Sequence, residues 1–138
     1  MSNNDLQARS GENERAAIIT IGDTAYEMIL TTRATKQIAK RYGGLSSLGD
    51  KLLKTENFEM ALDEIIWLIM LLANQSILVY NLKNKDAPRD LLTEEELELL
   101  TSPLELTSYK AAITEALFKG TARNIESADD NTKNSEAG

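Results

Sequence analysis

Apolar positions along this chain recur first at every second residue and then at helical spacing. In "AAIITIGDTAYEMIL", Ile18, Ile19 and Ile21 form one β-favouring run, and Tyr26, Met28 and Leu30 form another. Gly22-Asp23 lies between them as a turn signal. Tyr26, Met28 and Leu30 alternate with Glu27 and Ile29, so a half-buried strand and a hairpin are predicted. At Thr31 the period changes from two to 3.6. Ala34, Ile38 and Tyr42 then share one helical face, and Arg33, Lys36 and Lys40 share another. The spacing predicts a helix over 33–42, capped by the hydroxyl of Thr31 or Thr32 and ended by Gly43-Gly44. A short helix over 46–54 is expected behind Ser46 or Ser47.

The longest predicted element covers 58–82, with Asn57 as its cap. Phe58, Leu62, Ile65, Ile69 and Leu72 form a stripe, while Ile66, Trp67, Leu68, Met70 and Leu71 fill the rest of the circumference. A helix that is apolar all round must be covered all round. In so small a chain this leads to the expectation that part of the set Ile66, Trp67, Met70 and Leu71 meets a partner or a second copy. Pro88 breaks the chain. Thr93 with Glu96 forms a capping box that opens an acidic helix through Leu100. Ser102 with Glu105 forms a second box, with Pro103 at the first helical position. The last helix is expected to run to about Ile125 through Leu106, Tyr109, Ile113, Ala116, Leu117 and Ala122. Gly120 reads as a bend or a weak point in it. Residues 1–15 and 127–138 are polar and read as disordered tails around one domain, 16–126. The fold class predicted is α+β, mostly α: an N-terminal hairpin packed on a small helical bundle with one long central apolar helix.

Composition narrows the chemistry. The 138 residues contain neither cysteine nor histidine. That leaves no thiolate, no imidazole base and no Ser-His or Cys-His pair. No catalytic residue, cofactor site or metal site is assigned. Glu94, Glu95 and Glu98 could share a cation, but negative charge in a first helical turn suits the helix dipole and needs no ion. Gly43-Gly44 lacks the preceding strand and following lysine of a phosphate loop. Met28, Met60 and Met70 read as core fillers. The most apolar run, Ile65–Ala73, falls well short of the roughly 20 residues of a membrane span, so no membrane partner is expected. The polar, acidic start lacks a secretory pattern, so a cytosolic protein is expected. The sequon at Asn74 is set aside for the same reason.

The stretch "TTRATKQIAKRYGGLSSLGDKLLK", residues 31–54, poses the main functional question. Ile38, Ala39 and Gly43 have the spacing of the first helix and turn of a DNA-reading helix-turn-helix. The pattern then fails: Gly44 stands where an apolar plug is expected, and the second segment carries Gly49 and Asp50. A net charge of −7 is also opposite to that of most nucleic-acid binders. Three readings of Arg33, Lys36, Lys40 and Arg41 are open: a solvated helix face, a docking face for an acidic protein surface, or a DNA contact. The first is favoured, and no nucleic-acid partner is expected.

One resemblance adds to this. "YEMILTTRATKQIAKRYGGL", the leucine-rich "LGDKLL", the apolar helix "ALDEIIWLIMLLANQS" and the acidic capped "LLTEEELELL" together resemble the tail assembly chaperones of long-tailed, siphovirus-type phages and related prophages. The likeness covers roughly residues 18–118; Gly49 and the C-terminal tail have no counterpart in it. It implies a non-enzymatic chaperone, with no catalytic residues to carry over, that binds and solubilises the tape measure protein until tail tube subunits polymerise around it. Tail tube subunits are a further partner under this reading. So is a second copy in a homo-oligomer. It also implies action in the host bacterial cytoplasm, absence from the finished virion, and in many members a longer frameshifted product. The candidate partner-binding residues are Ile66, Trp67, Met70 and Leu71 on the long helix and Arg33, Lys36 and Lys40 on the basic one. A small helix-turn-helix-like transcriptional regulator and a dimeric helical adaptor are the alternatives.

Overall fold

The structure is a computed structural model that describes residues 15–54 and 58–121. The two expected tails apart from Arg15, the Asn57 cap, and Ala122 and Ile125 in the last helix therefore lie outside the described residues. Strand β1 (Ala17–Ile21) pairs antiparallel with β2 (Thr24–Met28) in a two-stranded sheet. Gly22 takes φ 61° while among the described residues no non-glycine residue has positive φ, the pattern of a type II′ hairpin turn. Ala17, Ile19, Ile21 and Met28 face the core, and Ile18 and Thr20 face outward.

The second strand ends sooner than its alternation predicts. Ile29 and Leu30 are both buried, and the Ile29 N–H donates to the Leu72 carbonyl of the long helix at 3.2 Å. The backbone leaves the sheet at Met28 and is taken over by a helix, so alternation no longer governs. Thr31 then caps α1 (Thr32–Tyr42), its hydroxyl accepting from the Ala34 N–H at 3.0 Å. Gly43, at φ 91°, closes the helix by donating to the Ala39 carbonyl. Helix α2 (Leu45–Lys54) starts directly after Gly44, ahead of the expected Ser46 or Ser47 cap.

The central helix α3 (Phe58–Lys83) packs against β2, α1, α4 (Glu94–Leu100) and α5 (Pro103–Ser108). Ile65, Ile66, Leu68, Ile69, Leu72 and Ala73 are buried in it, and Leu62, Trp67, Met70 and Leu71 pack partly buried against the same core. Of its most apolar window 39% is buried within the chain, and Leu82 near its end stands in the open. Polar residues at its middle are tied to neighbours. The Thr31 hydroxyl donates to Gln75, a buried side chain. Asn74 accepts from the Leu92 N–H at 2.7 Å and donates to the Leu92 carbonyl at 3.0 Å. By length and composition, Leu62–Lys83 is a helix that could cross a membrane, with mean hydropathy 1.7. The shorter count at Ile65–Ala73 missed this because the apolar pattern resumes after Asn74-Gln75-Ser76.

Both capping boxes form as predicted, at Thr93 and at Ser102, with Pro103 in the first turn. Tyr109 interrupts the last helix, which continues as α6 over 110–121. Helix α6 lies along β1. The Tyr109 hydroxyl donates to the Thr20 carbonyl at 2.6 Å, and Lys119 donates to the Ala16 carbonyl at 3.0 Å. The sheet edge is thereby covered by a helix. Gly120 is no weak point. A Cβ there would lie 2.7 Å from Leu30 Cβ, so its missing side chain is what lets α6 close on the end of the hairpin.

Candidate functional site

The cations of α1 divide into two groups. Arg41, at its C-terminal end, is committed inward with Tyr42. Its guanidinium lies 4.4 Å from the Trp67 ring centroid and its Nε 3.5 Å from Glu64 Oε2. Tyr42 meets Trp67 edge-on at 5.9 Å and donates its hydroxyl to Glu64. Lys51 of α2 reaches Glu64 Oε1 at 3.2 Å. One carboxylate on α3 therefore fastens both helices of the helix–turn–helix pair. Burial alone would push the Glu64 carboxyl up, but the Tyr42 hydroxyl, Lys51 and Arg41 outweigh it and hold the group below its ordinary value. Burial first, and then Glu64, push the Tyr42 hydroxyl well above the ordinary tyrosine range, against a smaller opposing effect of Arg41. Nothing local in the sequence marks Glu64 for this role, because its partners arrive from other helices.

Arg33, Lys36 and Lys40 form the second group. All three are exposed, and among the described residues none has an ion pair. With Thr32 and Gln37 they line a shallow groove of about 370 Å³. The sequence-derived basic set is thus one continuous surface. Helix α2, the element that would enter a DNA groove, presents Ser46, Ser47, Asp50 and the Glu64-bound Lys51 instead.

The apolar set on α3 is placed differently. Ile66 is buried in the core, and Trp67 is covered by Arg41 and Tyr42. Met70 and Leu71 are half-buried. The large apolar side chains that do stand in the open are elsewhere. Leu104 is 80%, Leu99 74% and Phe118 70% exposed, and Leu91, Leu100, Ile18 and Leu82 are exposed as well. Sequence reasoning passed over them, although Leu97, Leu99 and Leu100 point three ways from a seven-residue helix and cannot all be buried. The stretch that holds Leu91, Leu99, Leu100 and Leu104 is acidic. No Lys or Arg occurs between Arg89 and Lys110, while Asp90, Glu94, Glu95, Glu96, Glu98 and Glu105 do. Tyr26 and Tyr109 register this field: burial first, then Glu96 and Glu105 respectively, raise their hydroxyls above the ordinary value.

Among the described residues no group of three or more Asp or Glu side chains is arranged to hold a metal ion. The chain is thus α+β and mostly helical, with a basic helix face and a set of exposed apolar side chains, four of them in the acidic stretch 91–104. Comparison with family models, with curated proteins and with solved structures finds no match.

Proposed function

We propose that this chain is a non-enzymatic tail assembly chaperone that binds and shields the tape measure protein of a long-tailed phage or prophage in the host cytoplasm. The observation that carries the reading is the set of leucines and the phenylalanine left in the open on α4–α6. These side chains lie outside the core that packs on the central helix. Exposed apolar surface of this kind serves partners. A tape measure protein, long and apolar along helical faces, is a partner that such a surface suits, and the net charge of −7 would keep the complex in solution. The chain resemblance over 18–118 points the same way. The regulator reading is less well supported, because the continuous basic face of Arg33, Lys36 and Lys40 lies on α1, while Lys51 of α2 is held by Glu64.

The test is co-expression. A tape measure fragment should partition into the pellet alone and into the soluble fraction with this chain, and a variant carrying Leu99→Ser, Leu104→Ser and Phe118→Ser should lose that effect while staying folded. A fragment left in the pellet by the folded wild-type chain would contradict the reading, as would salt-dependent duplex DNA binding lost on Lys36→Glu plus Lys40→Glu.

A further inference from the structure

We propose that the groove on α1 lined by Arg33, Lys36 and Lys40 is a docking site for a short acidic segment of another protein. The three cations share one face in space. With Thr32 and Gln37 they line the same shallow groove of about 370 Å³, and all five side chains are exposed. Ala34 and Ile38, on the opposite side of the helix, are fully buried. The helix cannot turn to present another face. Thr31 caps its start, Gly43 closes its end, and Arg41 and Tyr42 are tied to Glu64 and Trp67. A surface ordered beforehand loses less freedom when a partner arrives.

The charges are also uncommitted. Arg41 and Lys51 pair with Glu64, Lys119 pairs with Glu115, and Arg89 lies over the Tyr80 ring. Arg33, Lys36 and Lys40 have no ion pair among the described residues. In a chain with 22 acidic and 15 basic residues, these three leave a local excess of positive charge. The lining identifies the occupant. Among the described residues it holds no apolar side chain, so recognition is by charge and hydrogen bonds, which carboxylates accept from ammonium and guanidinium groups. Arg33 to Lys40 spans roughly 10 Å of helix axis, close to the screening distance of about 8 Å at physiological salt. A short acidic segment can place its carboxylates within that span. A DNA duplex, with one charge per about 1.7 Å, would carry most of its phosphates past the three cations and alongside a molecule of net charge −7. A second copy brings that same net charge to the contact. The site rests on this face alone, so it stands or falls apart from the tape measure reading.

The experiment titrates the full chain into a labelled peptide of about 12 residues, roughly 18 Å if helical, with glutamates at three- and four-residue spacing. Fluorescence anisotropy follows binding at physiological salt, beside the same peptide with glutamine in place of glutamate. The glutamate peptide should bind at least about tenfold more tightly than the glutamine one. Lys36→Glu with Lys40→Glu should weaken that binding by about tenfold or more. Lys83→Glu with Lys85→Glu changes the net charge by the same amount at the other end of the sequence pattern, after α3, and should leave binding largely intact. Both pairs are exposed, so the circular dichroism melt should not move. Equal binding of the two peptides, or unchanged binding by the α1 variant, would overturn the proposal. Equal loss in both charge-reversed variants would overturn it as well, since net charge alone would then govern binding. So would tighter binding of a DNA duplex that the α1 variant loses, or a wild-type dimer that the α1 variant breaks, since these name nucleic acid or a second copy as the occupant.

Discussion

Glu64 collects three partners, Tyr42, Arg41 and Lys51, on one carboxylate. Because its folded pKa lies below the unfolded one, the folded state binds fewer protons as the group titrates. Its contribution to stability is therefore complete above the unfolded value, about pH 4.3, and is lost as pH falls through the folded pKa. Tyr42 works in the opposite direction. Its hydroxyl is raised, so its contribution is present below about pH 10 and fades above it, where the unfolded chain releases the proton first. Thermal melts of the wild type and Glu64→Gln should differ most near neutrality and converge on acidification. The gap between wild type and Tyr42→Phe, about 1–2 kcal/mol for a partly exposed hydrogen bond to a charged group, should narrow above about pH 10. A gap independent of pH in either pair would mean that the carboxylate and phenol are not coupled as described. Asn74→Leu tests a different kind of contact. It strips both partners from the buried backbone of Leu92 and should cost about 1–3 kcal/mol in chemical denaturation; an unchanged midpoint would show that Leu92 finds other partners.

At the scale of elements, two glycines in helices behave oppositely. Gly120 sits where a Cβ would meet Leu30 Cβ at 2.7 Å, so Gly120→Ala should destabilise by about 1–3 kcal/mol through overpacking. Gly49, inside α2, has no atom within 4 Å of an added Cβ and no left-handed φ, so Gly49→Ala should stabilise by up to about 1 kcal/mol from helix propensity. A denaturation midpoint that Gly120→Ala leaves unchanged or raises would refute the account of α6 closing on the hairpin. These glycines also mark what the sequence could disclose. The hairpin, the Thr31 cap, the glycine closure of α1 and both capping boxes rest on residues within a few positions of one another, and all were legible. The early end of β2 was not, because the group that receives the Ile29 N–H belongs to α3, more than forty residues on. The basic face of Arg33, Lys36 and Lys40 was legible as one helical stripe. How far Ile66, Trp67, Met70 and Leu71 are each covered was not. Which sides of α3 are covered depends on how the hairpin, α1, α4 and α5 converge on it, and periodicity carries no information about that.

For the whole molecule, the central point is that a core built on a long, partly covered apolar helix leaves leucines and a phenylalanine in the open on α4–α6. In the proposed function those side chains receive an apolar helical partner, while the acidic surface keeps the pair dispersed. Light scattering on the purified chain, alone and mixed with a tape measure fragment, measures this directly. The account predicts a stable soluble complex whose mass contains both components, formed by the wild type and lost in the Leu99→Ser, Leu104→Ser, Phe118→Ser variant. Elution of the folded wild-type chain at its own mass, with the fragment aggregating unprotected beside it, would contradict the account.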